Sequence, residues 1–447
     1  MSHWRGVQAL RAFRGPLLHC LGDPGPPGFR VEPGLEKGPV QYLPDALLLV
    51  AEGRVEQLGP AEELLAGLPQ GVEVVDCRDG LLVPGFVDCH IHYPQTDMIA
   101  AYGKQLLQWL DRYTFPVEAA FHDPDHGREV AEFFLDELLR NGTTTALVLG
   151  TVHRQSVQAL FECAEKRRLR LVAGKVLMDR HCPDYLQDTP ETGYRDSREL
   201  IEQWHGRDRL GYALSPRFAP TSSPEQLILA GQLATAFPDV YIHTHLAENR
   251  DEVAWVARLF PASRSYLDVY DRYQLLRRRS VYAHCIHLDD RDRRRMGQAG
   301  AAKAFCPTAN LFLGSGLFDL EAAFGLGVAV GMGSDVGGGT SFSLLRVLSE
   351  GYKVAQLAGQ SLSPWRAFYL ATLGGARALD LQEHIGTLQP GKEADFLVLD
   401  FHCTPLLARR SRVAQDLAEK LFALIMLGDD RAVKATYVLG ELAYRRD

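Results

Sequence analysis

A chain of 447 residues, 46% hydrophobic and 23% charged, is long enough for a large enzyme scaffold and has the balance of a globular protein, which excludes a disordered or fibrous one. The formal net charge of -8 gives no basic surface, so no nucleic-acid partner is expected. The start, "MSHWRGVQALRAFRGPLLHC", lacks the apolar stretch of a signal peptide and nowhere do eighteen apolar residues run together, so neither export nor membrane insertion is expected.

In chain order, the first strand-like segments are "PDALLLVAEGRVEQLGP" and "VEVVDCRDG", preceded by a Pro/Gly-rich loop, "GDPGPPGFRVEPG", at residues 22–34. From about residue 80 to residue 385 short apolar runs alternate with segments of helical period. The eight strand candidates are "LLVPGFVDCHIH", "TTTALVLG", "RLVAGKVLM", "LGYALSPRF", "VYIHTHLAE", "SVYAHC", "AAKAFCPT" and "GVAVGMGSD". Between them lie helix-like stretches such as "REVAEFFLDELLRNG", "HRQSVQALFECAEKRR", "SPEQLILAGQLATAF" and "ENRDEVAWVARLF". Eight βα units predict a (β/α)8 TIM-like barrel. "ADFLVLDF" and "VKATYVLGELAYRRD" near the end are again strand-like. Neither terminus carries enough strands to bury a face alone, so the two are expected to pair into one small β-sandwich. The expected division is residues 1–79 and 386–447 as the two parts of that sandwich, with the barrel at 80–385.

Eight scattered cysteines without a C-x-x-C pair point to a reduced, cytoplasmic setting. Two arginine triplets, Arg277–Arg279 and Arg293–Arg295, have acidic residues interspersed and read as solvated helix faces.

Barrels carry their chemistry where strands hand over to loops at the C-terminal face. The ends of the candidate strands supply His90 and His92 (first), Arg217 (fourth), His245 (fifth), His284 (sixth) and Asp335 (eighth). Side chains two apart on a strand share a face, about 6 to 7 Å apart, so His90 and His92 both enter the barrel mouth. Imidazoles with a carboxylate and an open position suit zinc or iron hydrolytic sites, where the cation lowers the pKa of a bound water to roughly 7. Any one of these histidines alone is more often a satisfied core residue. H-x-H at strand one, with histidines at strands five and six and "GSD" at strand eight, is a specific combination.

At strand five both His243 and His245 are available; His245, nearer the loop, is preferred as a ligand, and His243 as a deeper packing or supporting group. Glu248 follows at the start of a helix, where it either caps the helix or acts as a general acid/base beside the metal. Asp335 is a ligand, the base for the bound water, or both, and the glycines after it in "GSDVGGGTS" let backbone approach closely. Trp109, Phe115 and Phe121 in "LLQWLDRYTFPVEAAF" form either a lid over a planar ligand or helix core. Lys175, in mid-strand three, is the one lysine that would tempt a binuclear reading with a carboxylated lysine bridging two metals.

Taken together, "PGFVDCHIHYPQ", "LLQWLDRYTFPVEAAF", "GKVLMDRHCPDY", "SPRFAPTSS", "THLAENRDEV", "AHCIHLD", "CPTANLFLGSGL" and "GSDVGGGTSFS" resemble the amidohydrolase superfamily, specifically its mononuclear zinc deaminases. The resemblance covers nearly the whole chain. It implies one Zn2+ per chain, or iron, held by His90, His92, His245 and Asp335. It also implies Glu248 as proton shuttle, Asp335 as acceptor of the water's proton, and His284 as the group orienting the attacking water. Gln95, Arg217 and Phe218 match positions that hold a purine, with His245 and Glu248 also facing it. The reaction implied is hydrolysis of the C2 amine of guanine to xanthine and ammonia; the alternatives are another amino-heterocycle such as 8-oxoguanine, a pterin or a triazine, or a barrel without activity. A cytoplasmic homodimer is implied as well. The H-x-E and P-C-x-x-C signature of the other nucleobase deaminases is absent.

Overall fold

The computed structural model describes residues 10–25, 38–102 and 106–447, so most of the Pro/Gly-rich loop lies outside the described residues. Eight parallel strands follow one another: β1 (Phe86–His92), β2 (Thr143–Leu149), β3 (Arg170–Gly174), β4 (Leu210–Pro216), β5 (Tyr241–Leu246), β6 (Ser280–His284), β7 (Ala302–Phe305) and β8 (Ala329–Met332). Each pairs with the next. Just past β8 the ring closes on β1: the Asp335 N–H donates to the His90 carbonyl (2.9 Å) and the His92 N–H to the Val336 carbonyl (3.0 Å). Helices alternate with the strands, among them Pro124–Arg140, Arg154–Lys166, Pro224–Ala236 and Arg250–Leu259. The first of these begins at Asp123, whose side chain accepts from the Asp125 N–H, and buries Val130, Phe134, Leu135 and Leu138 at helical spacing. The expected barrel is therefore present.

Strands from both termini form a second, eight-stranded sheet over a core that includes Phe13, Leu17, Leu48, Leu82, Phe396 and Tyr437, in accord with the expected small sandwich. The ring of Phe396 stacks on that of Tyr437 at 4.5 Å. The segment at residues 81–92, read as one strand, is two. Leu81–Pro84 runs antiparallel to Phe396–Leu399 in the terminal sheet, and Phe86–His92 enters the barrel. Gly85 is the junction: a Cβ there would stand 2.0 Å from Thr144 Oγ1, so only glycine lets the chain cross.

Inside the barrel, alternation sorts side chains into two cores. Val87, Cys89, Leu147, Val172, Ala213, Tyr241, Val281 and Ala302 cluster in the interior, whereas Phe86, Ile91, Val148, Leu171, Leu214 and Ile242 pack in the outer layer under the helices. On β1 the pattern switches halfway. Asp88 pairs with Ala146 but Ile91 with Val148, so three steps on β1 oppose two on β2, a bulge of one residue. The bulge turns Ile91 outward although it has the parity of Val87 and Cys89, and it brings His90 and His92 into the mouth.

One arginine triplet departs from expectation. Arg277–Arg279 sit in the turn before β6, not on a helix: Arg278 and Arg279 both bind Asp380, and Arg277 donates to the Ala234 and Pro238 carbonyls. The acidic and carbonyl partners come from distant segments, which local charge patterning does not display. Arg293–Arg295 lie on the helix Asp290–Ala299, as expected.

Candidate active site

All the strand-end residues singled out in the sequence meet at the C-terminal mouth. His90 Nε2 lies 3.1 Å and His92 Nε2 3.5 Å from Asp335 Oδ1, and His92 Nε2 is 3.2 Å from His245 Nε2. Donors at the corners of a tetrahedron with ligand bonds of 2.0–2.1 Å stand roughly 3.3 Å apart. The separations fit a single divalent cation, and among the described residues the buried His90 Nε2 has no hydrogen-bond partner. His90, His245, His284 and Asp335 also offer donor atoms within 4.8 Å of one another. His284, however, turns its Nε2 toward the other carboxylate oxygen of Asp335 (3.7 Å) and toward Glu248 Oε2 (3.4 Å).

The outer faces of the rings are held. His90 Nδ1 is 2.7 Å from His243 Nε2, so His243 supports a neighbouring imidazole from below. His245 Nδ1 donates to the Arg217 carbonyl (2.6 Å), which leaves Nε2 with its lone pair toward the cluster. Asn310 Oδ1 accepts from His284 Nδ1 (2.9 Å). His284 and Asp335 both have left-handed backbones (φ 68° and 53°), a conformation that costs non-glycine residues about 1–3 kcal/mol and that aims both side chains off the regular strand direction. Burial, reinforced by the neighbouring rings, holds His90, His92, His243 and His245 well below the usual histidine range. Neutral imidazoles are the form that binds a cation.

Glu248 is buried beside this cluster. Burial and then the charge of Asp335 push its carboxyl up to about 8, against the Ser315 hydroxyl, which donates to Oε1 at 2.8 Å. Its side chain is not needed as a helix cap. Asn249 and Glu252 form the capping box of Arg250–Leu259, and Glu252 Oε2 accepts the backbone N–H of Glu248 (2.9 Å). Burial likewise raises Asp335, to about 6.

The pocket above the cluster is walled by His92, Gln95, Arg217, Phe218, Glu248 and His284, with Leu106, Trp109, Leu110 and Leu313 adding apolar surface. Every predicted substrate-facing residue is thus present in one cavity. Of the three aromatics weighed as a lid, Trp109 lines the pocket, Phe115 packs under the Arg217 guanidinium (5.5 Å), and Phe121 is core against Tyr93. Gly338 lines the pocket, whereas a Cβ at Gly337 would stand 2.8 Å from the Gln95 carbonyl oxygen. Lys175 is engaged elsewhere: its Nζ pairs with Asp188 at 2.5 Å, so it bridges no metals. Ser315, Glu252, Asn310 and Glu118 complete the site without having been read from the sequence. Glu118 alone carried a signal, a carboxylate inside the apolar run "YTFPVEAAF".

A closed barrel with a histidine and carboxylate cluster at its C-terminal mouth, a supporting imidazole beneath and a buried carboxyl alongside defines a metal-dependent hydrolase. The chain belongs to the amidohydrolase family, whose model matches residues 81–443. It is 52% identical over 408 residues to a guanine deaminase of Escherichia coli K12, covering 91% of this chain and 93% of the relative. It is 40% identical to a probable guanine deaminase of Deinococcus radiodurans, over 98% and 99% of the two chains. The guanine deaminase of C. acetobutylicum, solved with guanine bound in its active site, superposes with a TM-score of 0.86 at 29% identity, over 98% of this chain and 100% of that one. The chain is an aminohydrolase-type enzyme with a site for a divalent metal.

Proposed function

We propose that this chain hydrolyses the C2 amine of guanine to give xanthine and ammonia, with zinc as its cation. The carrying observation is that Gln95 and Arg217 share one pocket with Glu248 and the donor cluster. His90, His92, His245 and Asp335 are assigned as ligands, from donor spacings that match a tetrahedral cation. When bound, zinc supplies a Lewis acid that acidifies a water. Asp335 takes up the water's proton on its carboxylate. Glu248, kept protonated by burial, gives a proton to ring N3 and helps deliver one to the departing amine. His284, fixed by Asn310, orients the attacking water through Nε2. Arg217 offers a planar fork of N–H groups that suits O6, Gln95 carries both a donor and an acceptor, and Phe218 and Trp109 add flat apolar surface beside the ring. The guanine held by a relative of this fold supports the same substrate here.

The expected homodimer belongs to this reading. So does a cytoplasmic setting, which the eight free cysteines support; among the described residues no helix is long and apolar enough to cross a membrane. The test is loss of guanine absorbance with one ammonia released per guanine, run beside 8-oxoguanine, a pterin and an amino-triazine. Faster turnover of one of those three reassigns the substrate, and no turnover by metal-replete protein overturns the reading.

A further inference from the structure

We propose that Glu118 is the specificity-setting positioning residue of the pocket: a buried carboxylate that ties Gln95 and Arg217 into one neutral, donor-rich reader of an uncharged oxopurine. The inference rests on the reading of Gln95 and Arg217 as the purine-holding side chains.

Glu118 lies on the short helix Phe115–Ala119, is 1% exposed, and stands behind the pocket wall that Gln95 and Arg217 form. Its two oxygens are divided between them. Oε2 accepts from Arg217 Nη1 at 2.7 Å, and Oε1 accepts from Gln95 Nε2 at 3.2 Å. Gln95 Oε1 in turn accepts the Gly337 backbone N–H at 3.1 Å. The amide of Gln95 therefore has one allowed orientation, because a flip would set its oxygen against a carboxylate and its NH2 against a backbone N–H. What remains for a ligand is the second N–H of Gln95, the second lone pair of its Oε1 and the unused N–H groups of Arg217. Donors predominate, so the wall favours ring atoms that accept, such as a carbonyl oxygen, over an exocyclic amine at the same place.

The second consequence is electrostatic. Arg217 and Glu118 form an ion pair with both side chains no more than 3% exposed. A buried guanidinium left alone would attract anions strongly; paired, it supplies directed N–H groups with no net charge. A neutral base is then accepted in preference to an anionic oxopurine of the same shape. The ring of Phe115 against the other side of the guanidinium leaves Arg217 little freedom to leave this partner.

The experiment uses the metal-replete full chain carrying Glu118→Gln. An amide has one acceptor oxygen, so it can serve only one of the two arms and turns an N–H toward the other. The expected result is unchanged metal content, a KM for guanine raised at least about tenfold, and kcat within about threefold. The ratio of the inhibition constant for urate, an oxopurine anionic at neutral pH, to the KM for guanine should fall at least about tenfold, since Arg217 has lost its counter-charge. Wild-type KM together with a wild-type urate ratio overturns the proposal, and so does a loss of kcat and metal with KM unchanged, which marks a merely structural residue. If Glu118→Gln fails to fold, Glu118→Asp keeps both acceptors and the charge on a shorter arm. It should raise KM about three- to tenfold with the urate ratio unmoved, and an unchanged KM overturns the proposal. A wild-type enzyme that leaves guanine untouched removes the functional reading itself; one that turns guanine over while Glu118→Gln is indifferent removes only this proposal.

Discussion

The floor and the mouth of the barrel are built from the same strands a few residues apart, yet they follow opposite rules. On β5, Tyr241, His243 and His245 share the inward face in ascending order: the first belongs to the apolar interior cluster, the second braces His90, and the third joins the donor cluster. On β4 the series is Ala213 and buried Ser215, followed just past the strand by Arg217 in the pocket wall. At the floor, burial is favourable for each side chain alone. At the mouth, every buried polar group depends on a partner, and burial instead shifts proton affinities, up for Glu248 and Asp335 and down for His90, His92, His243 and His245. The fold supplies a rigid apolar base so that a costly polar layer can stand on it.

Substitutions at successive depths sharpen this contrast. The largest effect on activity is expected at His245→Ala, which should lose the metal and with it all turnover while staying folded; full metal content by elemental analysis would contradict the ligand assignment. Glu248→Gln should keep the metal yet lose more than about 10²-fold in kcat, the usual scale for a general acid/base. Wild-type turnover there would count against its role. One layer down, His243→Ala should weaken metal affinity about 10- to 100-fold, read by competition with a chelator, because it removes only the group bracing His90. At the floor, Leu147→Ala should cost about 2–5 kcal/mol of stability in denaturant unfolding while the folded enzyme keeps its metal and its KM. A Leu147→Ala protein with normal stability and a disturbed KM would erase the distinction between floor and mouth.

The same contrast explains what the sequence displayed. The ligand types at strand ends were legible because barrels place chemistry at that rim, and H-x-H fixes two rings on one face over a single strand. The helices between strands were legible from their period. The bulge on β1 was not, since in "FVDCHIH" Val87, Cys89 and Ile91 alternate as an unbroken apolar face and nothing local marks where one residue drops out of register. The division of residues 81–92 between two sheets was hidden for a similar reason: Pro84 and Gly85 interrupt one continuous apolar run, and the sheet that claims Leu81–Pro84 is completed by residues more than three hundred positions later. Glu118 showed only as a carboxylate within an apolar run; its partners, Gln95 and Arg217, come from other elements, and nothing local tells a buried ion pair from a solvated side chain.

The central claim is that side chains from two strands, β1 and β5, and the turn beyond β8 converge on one cation. Anomalous diffraction from crystals of the zinc-loaded protein, recorded at the zinc edge, measures this directly. The account predicts one peak per chain about 2.0–2.2 Å from His90 Nε2, His92 Nε2, His245 Nε2 and Asp335 Oδ1. Two peaks, or a single peak away from those four atoms, would contradict it.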